Sequence, residues 1–215
     1  MITNQQIIDY LRAIEPEKDD DLKKIERYAY EHNIPIIKKE VQRLFRVLLS
    51  IAKPKKILEV GTAIGFSSIL MSKYIQSGGE IVTIERNHYM AKEARKNINN
   101  LGLEKVIHII ENDAEKTLKE IKETFDIIFI DAAKGQYLNY LPYCVNILRK
   151  DGLLISDNVL QKGQIAKSRF GISRRQRTIH NRMRKYLWEI NHNNLLETAI
   201  LPIGDGITIS YKVKE

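Results

Sequence analysis

Hydrophobic and polar positions change rhythm twice along these 215 residues. Through the first fifty, apolar side chains recur at helical spacing. Ile7, Ile8 and Leu11 share one face; Leu22, Ile25, Tyr28 and Ala29 share another in a segment running to His32. After Pro35, whose fixed φ suits a first helical turn, Val41, Leu44, Phe45, Leu48 and Leu49 repeat in the same way. The pattern predicts three helices forming an N-terminal helical cap, residues 1–53.

From Pro54 short apolar runs alternate with helical segments. Strands are expected at Ile57–Val60, Glu80–Ile84, Val106–Ile110, Phe125–Ile130 and Gly152–Ser156, and helices at Phe66–Tyr74, His88–Asn99 and Ala114–Ile121. A further helix separates the last two strands; Pro142 inside it cannot donate to the Leu138 carbonyl and is expected to kink or restart it. Strands separated by single helices imply right-handed crossovers and a parallel sheet with helices on both faces.

The rhythm changes again near the end. After a basic segment read as a loop and then a helix ending near Ile190, Leu196–Leu201 and Ile207–Val213 form two strands joined by Pro202–Gly206, a connection short enough to make them antiparallel. Ile207, Ile209, Tyr211 and Val213 alternate with Thr208, Ser210 and Lys212, which suits a strand with one buried face. The sum is an α/β chain with a seven-stranded, mostly parallel sheet holding one antiparallel strand. It is expected to be a single domain over 1–215, with the sheet core at 54–215.

Composition narrows the class. No basic flank precedes an apolar core at the amino terminus, and the longest apolar runs are too short to cross a bilayer, so a soluble, cytoplasmic protein is expected. Cys144 is the only cysteine, which excludes an intrachain disulfide or a multi-cysteine metal site and leaves a packing role. The formal net charge of +8 is concentrated: Asn158 to Trp188 holds nine Lys or Arg and no Asp or Glu.

Candidate chemistry gathers at strand ends, outside which ligands bind in open parallel sheets. Asp131 ends the run Ile127–Ile130, and Lys134 follows three positions later. For Asp131 two roles stand, a helix cap or a ligand. Glu59-Val-Gly61-Thr-Ala-Ile-Gly65-Phe-Ser67 joins a strand to a helix, as either a tight turn or a cradle for a compact amino-acid group near Ser67; its G-x-x-x-G spacing is not the dinucleotide fingerprint. Glu85, twenty-four positions after Gly61, can accept from both hydroxyls of a ribose. Asp113 can read an adenine amino group or cap the next helix. Asp131, Asp157 and Asn158 end neighbouring strands about 5 Å apart, and three oxygen ligands without His or Cys suit a hard cation, Mg²⁺ or Ca²⁺.

These pieces resemble the cation-dependent O-methyltransferases, the family of the catechol and caffeoyl-CoA enzymes. The matching motifs are Leu58–Ser67, Thr83–Arg86, Phe129–Lys134 and Ser156–Asn158. Within the family the chain is most similar to bacterial tRNA 5-hydroxyuridine methyltransferases, through Phe129–Tyr137, Asp157–Leu160 and Pro202–Gly206. The resemblance implies a Rossmann-like class I methyltransferase fold and S-adenosylmethionine as cofactor. It implies that Glu59, Gly61 and Ser67 line the methionine end, Glu85 the ribose, Asp113 and Ala114 the adenine, and that Ile37 contacts the cofactor through its backbone. Asp131, Asp157 and Asn158 match the metal ligands, with Asp131 also beside the cofactor, and Lys134 the general base. Ala133 departs from the pattern, standing where the catechol enzyme has an aromatic residue stacked on adenine, which implies a looser grip on that end.

The chemistry follows from the parts. Two neighbouring substrate oxygens on a divalent ion give a more acidic hydroxyl, whose proton Lys134 takes before the oxyanion attacks a sulfonium methyl in line. In 5-hydroxyuridine the pair would be the 5-hydroxyl and 4-keto oxygens. The basic stretch is either a solvated face or an RNA-binding loop and helix, with Arg169, Arg174, Arg175, Arg177 and Arg182 the candidate contacts and Phe170 and Tyr186 either stacking surfaces or core. The expected reaction is therefore conversion of wobble-position 5-hydroxyuridine in tRNA to 5-methoxyuridine, with methylation of a small catechol as the alternative. The expected partners are tRNA and a second copy of the chain, and neither DNA nor membrane.

Overall fold

All seven expected strands form: β1 (Lys56–Val60), β2 (Glu80–Glu85), β3 (Ile107–Glu111), β4 (Phe125–Ile130), β5 (Leu148–Ser156), β6 (Leu196–Leu201) and β7 (Ile207–Lys212). They make one seven-stranded sheet in the order β3-β2-β1-β4-β5-β7-β6. Between them run α1 (Gln5–Ala13), α2 (Asp20–Glu31), α3 (Lys39–Ala52), α4 (Phe66–Ser72), α5 (His88–Asn100), α6 (Ala114–Glu120), α7 (Tyr137–Ile147) and α8 (Arg177–Asn191). This computed structural model describes residues 3–16 and 20–214. Two compact units divide the chain, Gln6–Ala114 and Glu115–Glu215 together with Met1–Gln5.

In the first unit, β1 pairs in parallel with β2, placing Glu59 opposite Thr83, and β2 pairs in parallel with β3. Both central strands are buried along almost their whole length, which is why they read as unbroken apolar runs. Helices α2 and α3 pack on α4. The third helix begins at Lys39 rather than after Pro35, because Lys38 is extended (φ −65°, ψ 154°) and the Ile37 carbonyl is taken by the Gln42 side chain at 2.8 Å. It stops at Lys53, a left-handed residue (φ 44°) whose amide closes on the Leu49 carbonyl just before Pro54.

In the second unit, β4 and β5 are parallel, and β7 runs antiparallel to both β5 and β6. The strand β5 starts at Leu148, earlier than Gly152: Leu148 pairs with Phe125, and the register then slips before Ile127 meets Leu153. Asp151 (φ 63°) lies in that irregular stretch, whose polar residues hide the strand start in the sequence. Pro142 neither ends nor restarts α7, which is a single element through it.

The alternation in β7 is real, but beyond Ile207, which is buried, the inward set is the polar one. Thr208, Ser210 and Lys212 are buried, whereas Tyr211 is 41% and Val213 37% exposed. Each buried polar group except the Thr208 hydroxyl has an identified partner: Ser210 accepts from Thr198 at 2.8 Å, and the Lys212 ammonium donates to the Val145 and Leu148 carbonyls at 2.9 and 2.6 Å, capping the end of α7. Hydrophobicity alone assigns the wrong face when hydrogen bonds satisfy the polar one. Among the described residues no helix is long and apolar enough to cross a membrane.

Candidate active site

In the first unit the chemistry is organised by Glu59. Its carboxylate is fully buried at the end of β1 and accepts from the Ser67 and Ser68 hydroxyls in the first turn of α4 and from Thr83 Oγ1 at 2.6 Å. Thr83 is in turn bonded to Thr62 at 2.6 Å. A buried carboxylate costs several kcal/mol unless its lone pairs are engaged, so hydroxyls converging from loop, helix and neighbouring strand fix the Gly61–Gly65 turn. Gly65 holds a left-handed φ of 82°, and a Cβ there would sit 3.4 Å from the Cβ of Ala94.

Glu85 closes the other side of that turn. One carboxylate oxygen accepts from the Ala63 amide at 2.9 Å and the other from the Asn87 amide at 2.8 Å. Each oxygen keeps a further lone pair, so the half-exposed carboxylate retains capacity for hydroxyl donors. Asp113 is half-buried just after β3, Ala114 is buried beside it, and Ile37 is buried before α3. Ser68, Thr83 and Thr62 were not anticipated; the signal was a glutamate inside an apolar strand, which must find donors from somewhere.

In the second unit Asp131 and Asp157 follow β4 and β5, and Asn158 joins them. The Asn158 side-chain nitrogen donates to Asp131 at 2.9 Å, and its backbone amide donates to Asp157 at 2.7 Å, with Asn158 left-handed at φ 63°. Burial raises the Asp131 pKa above the usual carboxylate range, against the opposing effects of Asn158 and the Lys134 charge. Burial, then repulsion from Asp131, pushes Asp157 up to about 7, with Asp205 adding to the rise and Lys134 opposing it. Lys134 opens a 3₁₀ turn, Lys134–Gln136, half-buried, so its charge acts on both carboxylates.

Two further groups shape this cluster. Tyr137, fully buried, ties the strand ends together: its hydroxyl accepts from the Ala132 amide at 3.2 Å and lies 3.1 Å from the Asp157 carbonyl and 3.4 Å from that of Ile130. Its ring packs edge-on against Tyr186 with centroids 5.6 Å apart, and the Tyr186 hydroxyl meets Ser156 at 2.6 Å. Tyr186 is therefore core and not a stacking surface. The Pro202–Gly206 turn places Asp205 near Asp157 because the Gly206 and Asp205 carbonyls accept from the Val159 and Leu160 amides; a Cβ on Gly206 would lie 2.3 Å from Leu160.

Among the described residues no three His, Cys, Asp or Glu side chains converge as a metal set. A cation here would rest on two carboxylates and the Asn158 amide oxygen, with water or substrate oxygens completing the shell, which suits a hard ion. Asp157, which is buried, and the half-buried Asp131 repel one another, and a cation would cancel that repulsion, so the residues fit it.

The basic segment follows directly. Arg169, Arg174 and Arg175 are exposed. Arg177 and Arg182 are half-buried and used internally, Arg177 donating to the Ile172 carbonyl at 3.1 Å and Arg182 to Asn139 at 2.9 Å. Five candidate arginines thus divide into three free to meet a ligand and two that also hold the segment in place.

A family described as O-methyltransferase matches residues 13–213. A probable caffeoyl-CoA O-methyltransferase of Dictyostelium discoideum is 26% identical over 98% of this chain and 93% of its own length. A catechol O-methyltransferase of Niastella koreensis is 32% identical over 57% of this chain and 58% of its own. The solved O-methyltransferase of Bacillus cereus in complex with SAH superposes with a TM-score of 0.85 at 26% identity, covering 100% of both chains.

Proposed function

We propose that this chain, which belongs to the O-methyltransferase family, uses S-adenosylmethionine and a hard divalent cation to methylate the 5-hydroxyl of wobble-position 5-hydroxyuridine in tRNA, giving 5-methoxyuridine. The cofactor assignment is supported by the Bacillus cereus relative, complexed with SAH and aligned along the whole chain. The substrate assignment is carried by one observation: the exposed Arg169, Arg174 and Arg175 lie in an acid-free stretch beginning directly after Asp157 and Asn158.

The residues divide the work. Glu59 and its hydroxyl partners hold the Gly61–Gly65 turn, with Gly61 and Ser67 toward the methionine end of the cofactor; Glu85 accepts the ribose hydroxyls, Asp113 and Ala114 meet the adenine, and the Ile37 backbone completes the contact. Asp131, Asp157 and Asn158 would hold the cation. S-Adenosylmethionine supplies an electrophilic methyl group, and the cation supplies Lewis-acid polarisation of the substrate hydroxyl and its neighbouring carbonyl. Lys134 would take the hydroxyl proton, a role supported by its half-buried place in the turn that follows Asp131. Tyr137 keeps the ligand-bearing strand ends in register. A second copy of the chain is assigned to the exposed apolar surface of α1 to α3, where Ile7 is 52%, Val47 58% and Ile51 75% exposed.

Mass spectrometry of nucleosides tests the substrate: undermodified tRNA incubated with enzyme, S-adenosylmethionine and Mg²⁺ gains 5-methoxyuridine and loses 5-hydroxyuridine. An unchanged 5-hydroxyuridine pool would refute the assignment. The Niastella koreensis relative favours a second reading, methylation of a small catechol. Charge reversal at Arg174 and Arg175 separates the two, since a small substrate does not need them; Arg177 is unsuited to that test because it also anchors Ile172.

A further inference from the structure

The segment after Asn158 displays an aromatic ring that it does not bury. Phe170 is 87% exposed, while Ile165 and Ile172 on either side of it are buried. Both anchors are pinned by arginines of α8: Arg184 donates to the Ile165 carbonyl at 3.2 Å and Arg177 to the Ile172 carbonyl at 3.1 Å. Between the anchors a short turn is closed by the Gly171 amide on the Ser168 carbonyl at 2.9 Å, and the Ser168 hydroxyl accepts from the Phe170 amide at 3.4 Å. A side chain left in water on a turn held at both ends has not been excluded from the core by disorder. Its placement calls for a partner.

The surroundings say which kind. Lys167, Arg169, Arg174 and Arg175 are all exposed, and no acidic residue lies between Asn158 and Trp188. Protein interfaces set their aromatic anchors in a core depleted of charge and are poor in lysine, whereas a ring set among cations alone complements a chain that alternates phosphate with flat π surfaces. Unpaired nucleotides have that chemistry, and every nucleobase can stack regardless of sequence.

We infer that Phe170 is a stacking platform for an unpaired nucleobase of the substrate RNA, with Arg169, Arg174 and Arg175 on the flanking phosphates; this rests on the tRNA assignment above and names its aromatic contact. The two arginines that pin Ile165 and Ile172 are then positioning residues for the platform.

The probes are a labelled anticodon stem-loop RNA carrying 5-hydroxyuridine in its loop and a fully paired RNA duplex of equal charge, followed by fluorescence anisotropy. Phe170→Ala is expected to weaken stem-loop binding about 5- to 150-fold, the range for loss of one stacked base, with the salt dependence unchanged because no phosphate contact is lost. Phe170→Trp should bind within about twofold of wild type, and in a Trp188→Phe background its emission should change on adding the stem-loop and not the duplex. Arg174→Glu with Arg175→Glu should instead weaken both probes and flatten the salt slope. If wild type binds the stem-loop and Phe170→Ala binds it within about twofold, the platform is refuted while the tRNA assignment survives. If wild type neither binds the stem-loop nor converts tRNA 5-hydroxyuridine, both fall. A Phe170→Ala loss confined to turnover of a small catechol would also overturn the platform, by making the ring a cover for a small-molecule site.

Discussion

Glu59 and Asp157 are both buried carboxylates carried by strand ends, yet the chain completes one and leaves the other short. Around Glu59, hydroxyls of Ser67, Ser68 and Thr83 converge. Around Asp157 and Asp131 there are two bonds from Asn158 and the charge of Lys134, while burial, mutual repulsion and Asp205 push Asp157 up to about 7. The difference separates two tasks. Around Glu59, which holds a turn, the protein supplies the donors itself; around Asp157 it leaves a deficit, which under the proposed cation role an ion would fill.

The largest expected effect tests what stands beside the deficit. Lys134→Ala should lower kcat by about 10²- to 10⁴-fold, the range for loss of a general base, with S-adenosylmethionine affinity by calorimetry unchanged. An equal loss of cofactor affinity would make Lys134 a binding residue. Next comes pH. Asp157 has a folded pKa raised from 3.8 to about 7, so in the metal-free protein its favourable contribution is complete below pH 4 and disappears as pH rises through 7. Chemical denaturation should show stability falling over that window by up to about 1.4 kcal/mol per pH unit, with a flatter profile in Asp157→Asn. Added Mg²⁺ should stabilise more at pH 8 than at pH 5, because at pH 5 the carboxylate pair still holds a proton.

Two smaller effects separate the sites. Thr83→Val removes one of the Glu59 donors and should cost about 1.5–3 kcal/mol in unfolding free energy while leaving Mn²⁺ affinity as it was. Tyr137→Phe should do the reverse, lowering Mn²⁺ affinity by about 10- to 100-fold with little change in stability, since the ring still packs on Tyr186. If the two variants moved the same quantity, the division of tasks would be wrong.

The sheet was legible because its central strands are buried on both faces, and runs such as Ile127–Ile130 admit few other assignments. Asp131, Lys134, Asp157 and Asn158 were legible for the same reason: polar residues that end apolar runs meet when the strands pair. What escaped was whatever depends on partners far along the chain. The inward face of β7 is the polar one because Ser210 and Lys212 find Thr198, Val145 and Leu148. The start of β5 is masked by charged residues around Asp151, and Tyr137 gains its importance from the Asp157 carbonyl, twenty residues away. Arg177 and Arg182 look like the other arginines until Ile172 and Asn139 are placed beside them.

The most direct test of the cation assignment is a Mg²⁺ titration of chelator-treated enzyme, reading 5-methoxyuridine formed in undermodified tRNA by mass spectrometry for wild type and Asp131→Ala. Product is expected to be absent in chelator, to rise saturably with Mg²⁺ in wild type, and to stay at background in Asp131→Ala at every concentration. Full conversion by wild type in the presence of chelator would contradict the account, because the carboxylate pair would then have no ion to hold.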